Sequence, residues 1–271
     1  MKISRHFLPR NRLLVVACVT LTLITLAPIA QAHDIVLVPE STGLRVRLGH
    51  PGDWQSVDVE RLLELQTMTG DAVAQDKHSA LKRNGLDMVL AKSAAKAMAP
   101  QMAAARYDNG LWVELPAVGK AKAEWRNTSR FMLPGAAGVM ASIKFAKGYA
   151  GNVTDTVVYA RKTGHLLELI PQKNPLSLRE GEKLPVLLLL NGKPLAGQGI
   201  EVSNLKDKMA EDKIPRFTTD ANGMAQVPVR PRGVNTLAVD LKRPNDGSFG
   251  SDAKALPVEN IMMVATYTFI R

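Results

Sequence analysis

The sequence predicts an all-β protein made of two β-sandwich domains in series, residues 33–162 and 163–271, with a short helical insertion in the first. Three observations lead there. Behind residue 32 the apolar residues fall in short runs, below helix length and bounded by Gly, Asn, Asp or Pro, which is how strands read. Turn pairs such as Asn191-Gly192 separate those runs. Around residues 166–175 the texture changes at Pro171, Asn174 and Pro175, and behind them strands and turns recur at the regular spacing of a sandwich.

The N-terminus carries a different signal. Lys2, Arg5, Arg10 and Arg12 precede a nearly uncharged apolar run over residues 13–30, and Ala30-Gln31-Ala32 supplies the small residues of a cleavage site. Residues 1–32 are therefore expected to be a secretory signal peptide, with the mature chain starting at His33 and released as a soluble periplasmic protein. No later run approaches the roughly 20 apolar residues that a membrane helix needs. The only cysteine, Cys18, lies inside this segment, so the mature chain has no thiolate for disulfides, catalysis or metal. Its net charge falls from +10 to about +6, with 31 Lys and Arg against 25 Asp and Glu. Those charges are scattered and lack interleaved aromatics, so nucleic acid is not an expected partner.

In chain order, residues 34–39, 42–48, 61–68 and 87–91 read as strands. Residues 93–105 are rich in Ala and Met and read as a short helix interrupted by Pro100. Asn109-Gly110, between strand-like flanks, reads as a hairpin turn. Behind the boundary, 183–190, 198–203, 215–219, 224–230, 236–241 and 261–269 are strand candidates. Turns at Asn191-Gly192-Lys193-Pro194 and Asp220-Ala221-Asn222-Gly223 separate them, and residues 249–260 read as a long loop. On this reading 163–271 would fold alone.

Several segments together resemble a known family. They are Ala32-His33-Asp34-Ile35-Val36-Leu37-Val38-Pro39, Leu48-Gly49-His50-Pro51-Gly52, Thr163-Gly164-His165-Leu166, Leu190-Asn191-Gly192-Lys193-Pro194 and Thr219-Asp220-Ala221-Asn222-Gly223. The chain resembles the exported NikM-like domain-of-unknown-function family, catalogued as the periplasmic component of ABC-type cobalt or nickel transport. The resemblance spans essentially the whole mature chain. Its C-terminal turns recur in immunoglobulin-like and transthyretin-like modules, which implies that fold for the second domain. The resemblance also implies cobalt or nickel as cargo and a membrane transporter or outer-membrane receptor as partner.

The residues themselves supply the ligand chemistry. A mature His33 holds a free amine and an imidazole on one residue, a ready chelate for a divalent transition metal. Asp34, His50 and His165 add the oxygen and nitrogen donors that Ni, Co or Cu accept. His78, among charged neighbours, reads as a solvated loop tip. Met98, Met102, Met262 and Met263 raise Cu(I), but Met more commonly fills irregular cores. There is no Gly-x-Ser-x-Gly elbow or phosphate loop, so neither an enzyme nor a small-molecule substrate is expected. The expected function is an exported binding or accessory protein for uptake of a divalent metal. The alternative is a structural interaction module that docks a transporter or receptor without metal.

Overall fold

A computed structural model describes residues 34–40, 43–69, 74–91, 102–116, 124–207, 209, 213–247 and 258–271. The expected signal peptide and His33 lie outside the described residues. The chain is all-β, with only short 3-10 turns as helical elements among the described residues.

Strands are numbered in chain order. A small sheet holds β1 (Ile35–Glu40), β2 (Gly43–His50), β3 (Asp53–Gln55), β6 (Lys82–Asn84) and β7 (Asp87–Ala91). A second small sheet holds β11 (Leu167–Pro171), β12 (Lys183–Leu190), β13 (Lys193–Pro194) and β16 (Met224–Pro228). Between them lies a nine-stranded sheet. From the N-terminal half it takes β4 (Leu62–Met68), β5 (Gln75–Asp76), β8 (Met102–Leu115), β9 (Glu124–Asn127) and β10 (Gly138–Tyr149). From the C-terminal half it takes β14 (Gly199–Asn204), β15 (Arg216–Thr218), β17 (Val234–Pro244) and β18 (Asn260–Ile270). Its order is β15-β14-β17-β18-β10-β8-β4-β5, with β9 on β8.

Period-two alternation sends successive side chains of the large sheet to opposite covers. On one face Phe145, Tyr149, Met263 and Tyr267 pack with Leu169, Val186 and Leu188 of the second small sheet. On the other, Ala103, Ala105, Tyr107 and Ala146 pack with Ile35, Leu37 and Val46 of the first. Edge strand β1 lies against β10 and β18, where its outward carbonyls at Ile35 and Leu37 accept from the buried hydroxyls of Thr266 and Thr268. Those bonds satisfy an edge that would otherwise be bare in the interior. Gly148 makes this approach possible, because a Cβ there would run into the Leu37 backbone.

Three sequence expectations change. The boundary at 163 runs through a shared sheet, because Met140–Tyr149 of β10 pair in parallel with Asn260–Phe269 of β18. Sequence reading missed β10, whose apolar pattern is broken by Lys144 and Lys147. Residues 102–105 are not helical. They open β8, with each side chain at most 2% exposed, and the alanines let covers approach on both faces. The rest of that predicted helix, and most of the 249–260 loop, lie outside the described residues. Asn109-Gly110 is not a hairpin but a bulge within β8, where Ser142 pairs with Gly110 and Ile143 with Asp108. Gly110 takes φ +79, and the extra carbonyl of Asn109 accepts from Trp112 Nε1 and Asn127 Nδ2.

A fragment of residues 163–271 tests the consequence of the shared sheet. Without β10 the whole length of β18 becomes a bare apolar edge, and the core loses Phe145 and Tyr149. The fragment is expected to aggregate or to lose ellipticity gradually on heating. A sharp cooperative melt of soluble fragment would show that β10 is dispensable.

Candidate functional site

The β1/β2 register sets Ile35 opposite Leu48, so residue 34 and the end of β2 meet at one corner of the small sheet. The Gly49 amide donates to the Asp34 carbonyl at 2.8 Å, tying the two strands there. Beyond it, His50 pairs with Asp53 across the Pro51-Gly52 turn. Gly49 has φ +123, and a Cβ would strike the Asp53 carbonyl, so this turn can close only on glycine. Local geometry thus aims His50 toward Asp34.

Both side chains line a cavity of about 320 Å³. Its other wall is the face of the large sheet not covered by β12: Glu201 and Ser203 from β14, Ala238 from β17, then Asp207 and Met209 beyond β14. The His50 Nε2 atom is buried. Two of the acids are committed to arginines. Arg216 Nε donates to Glu201 at 2.9 Å, and Arg230 donates to Asp207 at 2.9 Å. Burial, and then the charges of Asp34 and Asp240, raise the Glu201 carboxyl despite Arg216. The lining is therefore rich in carboxylates within a chain of net positive charge, an arrangement that draws cations.

The four predicted ligands do not all meet. Asp34 and His50 come together, whereas His33, covalently next to Asp34, lies outside the described residues. His165 is elsewhere: it is 7% exposed, with its ring 5.2 Å from Phe145 on the opposite face of the large sheet. Its Nε2 has no hydrogen-bond partner among the described residues. Burial, and then the Lys147 charge, push its pKa down to about 4, so at neutral pH it is an uncharged core ring. Next to it Lys147 and Glu168 form a buried pair at 2.9 Å, with side chains 2% and 3% exposed. Burial alone would raise the Glu168 carboxyl, but Lys147 and Thr163 outweigh it and keep the carboxylate ionised. The apolar run around His165 forms β11, and that burial is why a Gly-His pair in the sequence leads to a packed core.

His78 is not a free loop tip. It sits half-buried in a 3-10 turn, with Nε2 3.0 Å from the Val59 carbonyl. Met102 and Met263 are core residues, fully buried. Sequence reading missed Asp53, Glu201 and Asp207 as cavity residues. Asp53 was legible as the end of the His50-Pro51-Gly52 turn. Glu201 was legible only as the outward position of a strand, because what covers that face comes from distant β1 and β2. Among the described residues, no three His, Asp or Glu side chains converge to hold a metal ion. No helix among them is long and apolar enough to cross a membrane.

A family model described as domain of unknown function (DUF4198) matches residues 30–243. None of the curated proteins matches the chain.

Proposed function

Because the chain belongs to the DUF4198 family, a description that names no chemistry, we propose from its own residues that it binds a divalent transition metal for uptake. In this reading it is an exported periplasmic accessory protein whose cargo is Ni or Co, with Cu also suited to its donors. It would pass that cargo to a membrane transporter or receptor, as the NikM-like resemblance implies. It is no enzyme, and the metal is cargo rather than a catalytic cofactor. Strands β11 to β18 would correspond to an immunoglobulin-like or transthyretin-like module whose last strand is shared with β10.

The observation that carries the proposal is that Asp34 and His50 line one cavity, at the end of the strand that His33 precedes. One carboxylate and one imidazole are too few donors for such an ion. Cleavage after Ala32 would add an amine and a second imidazole from His33, completing a nitrogen-and-oxygen set. The N-terminal amine is thus an essential part of the site.

Calorimetry of Ni²⁺ and Co²⁺ into untagged mature protein tests this. Binding is expected to weaken roughly ten-fold or more in His50→Ala and in a form carrying one extra residue before His33. His78→Ala should bind like the parent. Binding should also weaken on acidification, since a protonated ring cannot coordinate. If the parent gives no heat with either ion, the metal reading fails. The second reading, a docking module, then takes its place. Its surface would be the loop between β9 and β10, where Phe131 is 90% and Met132 66% exposed.

A further inference from the structure

We infer that Lys144 sets how tightly the Asp34–His50 cavity holds a cation. Its ammonium is a fixed positive charge behind Asp34, so a bound ion must share that carboxylate with it and the site stays weak enough to release its cargo. The inference rests on the metal-binding reading above.

Lys144 is unusual among the lysines of the described fold. It is 0% exposed, and its Nζ has no hydrogen-bond partner among the described residues. Lys147, one turn of the pattern along the same strand and on the opposite face, is just as buried but is paired with Glu168. Nothing of that kind is built around Lys144.

Position explains what it faces instead. Lys144, Ala146 and Gly148 alternate on the β10 face that β1 covers. Leu37 of β1 lies over Gly148. One step back, the Ile35 carbonyl is held by Thr266, which pairs with Ala146. Continuing in the same direction brings the start of β1, where Asp34 stands, to Lys144. The electrostatics agree with this placement: burial lowers the Lys144 amine to about 8, and the opposing influence is the charge of Asp34. The amine is therefore mostly protonated at neutral pH. The same Asp34 charge reaches across the cavity to Glu201.

Two other cavity acids, Glu201 and Asp207, have arginines of their own at the surface. Asp34 differs in that its neighbouring cation is buried, where Coulomb forces are poorly screened. A divalent ion at Asp34 meets repulsion from an ammonium that has no route to solvent. Lys144 acts through Asp34 and touches no cargo, so it is a positioning residue that fixes the charge of the site.

The test is Ni²⁺ and Co²⁺ calorimetry on the untagged mature protein, comparing parent, Lys144→Met and Lys144→Met with Asp34→Asn. Lys144→Gln serves as the second variant if Met does not fold. Removing the charge is expected to tighten binding roughly ten-fold or more, and adding Asp34→Asn should abolish the gain. A merely structural role would not raise affinity. Thermal melts should show Lys144→Met at least as stable as the parent, since it removes an unpartnered buried charge. Equal or weaker binding by folded Lys144→Met overturns the inference and leaves the metal reading standing. A gain that survives Asp34→Asn also overturns it. If neither parent nor variant binds, both fall together, whereas binding by the variant alone supports the inference and shows the parent site to be held weak by its lysine.

Discussion

Glu168→Ala is expected to destabilise the protein by about 3–5 kcal/mol, the largest effect of any single substitution considered, because it strands a buried ammonium. The Glu168 carboxylate accepts from Lys147 Nζ at 2.9 Å, from the Thr163 amide at 2.6 Å and from the Thr163 hydroxyl at 2.9 Å. Lys147 in turn donates to the Arg161 carbonyl at 3.0 Å, with the Tyr267 ring 5.9 Å away. This network spans the 162/163 junction, linking β10 to β11 where the two halves of the chain meet. Removing both charges together is a different matter. Lys147→Met with Glu168→Leu should recover most of the loss, because the pair's attraction largely offsets its desolvation and little else in the core requires it. Urea unfolding of the two single variants and the double variant gives the coupling directly. Additive losses would mean that the two groups do not form an interacting pair.

Acidification from pH 6.5 to 4 is expected to remove about 3 kcal/mol through His165 alone. The folded pKa of His165 is pushed down to about 4, first by burial, from an ordinary value of 6.5. Between those values the unfolded chain binds more protons than the folded one. Stability therefore rises with pH across that window and is lost as pH falls through it. Glu168, held below the ordinary carboxylate range, adds its own loss only at the acid end, as its carboxylate protonates. His165→Leu keeps an apolar neighbour for Phe145 and removes the titration. Urea midpoints measured from pH 7 to 4 should then flatten for the variant between 6.5 and 5, while the parent falls. Parallel curves would show that His165 titrates normally and is not in the core.

These two effects come from side chains that the sequence marks only as residue types. His165 in Thr163-Gly164-His165 looks like His50 in Leu48-Gly49-His50, since both follow glycine at the end or start of a strand. One lines a cavity beside Asp34 and the other packs on Phe145. The difference is what covers each position: the first small sheet leaves the His50 corner open, whereas β11 and β12 close over His165. Half of the candidate site was nevertheless legible. Asp34 and His50 lie on adjacent antiparallel strands whose short connection makes their approach nearly local, while Glu201 and Asp207 reach the same cavity only through the long-range placement of β14.

What the sequence by itself determined is the local repertoire. It fixed the all-β class, most strands from β1 to β18, and turns such as Asn191-Gly192 and Asp220-Gly223, because alternation and positive φ are decided within a few residues. Only the tertiary structure decided what depends on partners far along the chain. Met102 to Ala105 became strand and Asn109-Gly110 became a bulge because β10 pairs along the whole of β8. The halves were joined because β10 also pairs with β18, some 120 residues away in sequence, burying both faces of a strand whose two lysines hide its apolar pattern. Such pairing is selected by the summed burial of whole sheets, a quantity no short window of sequence contains.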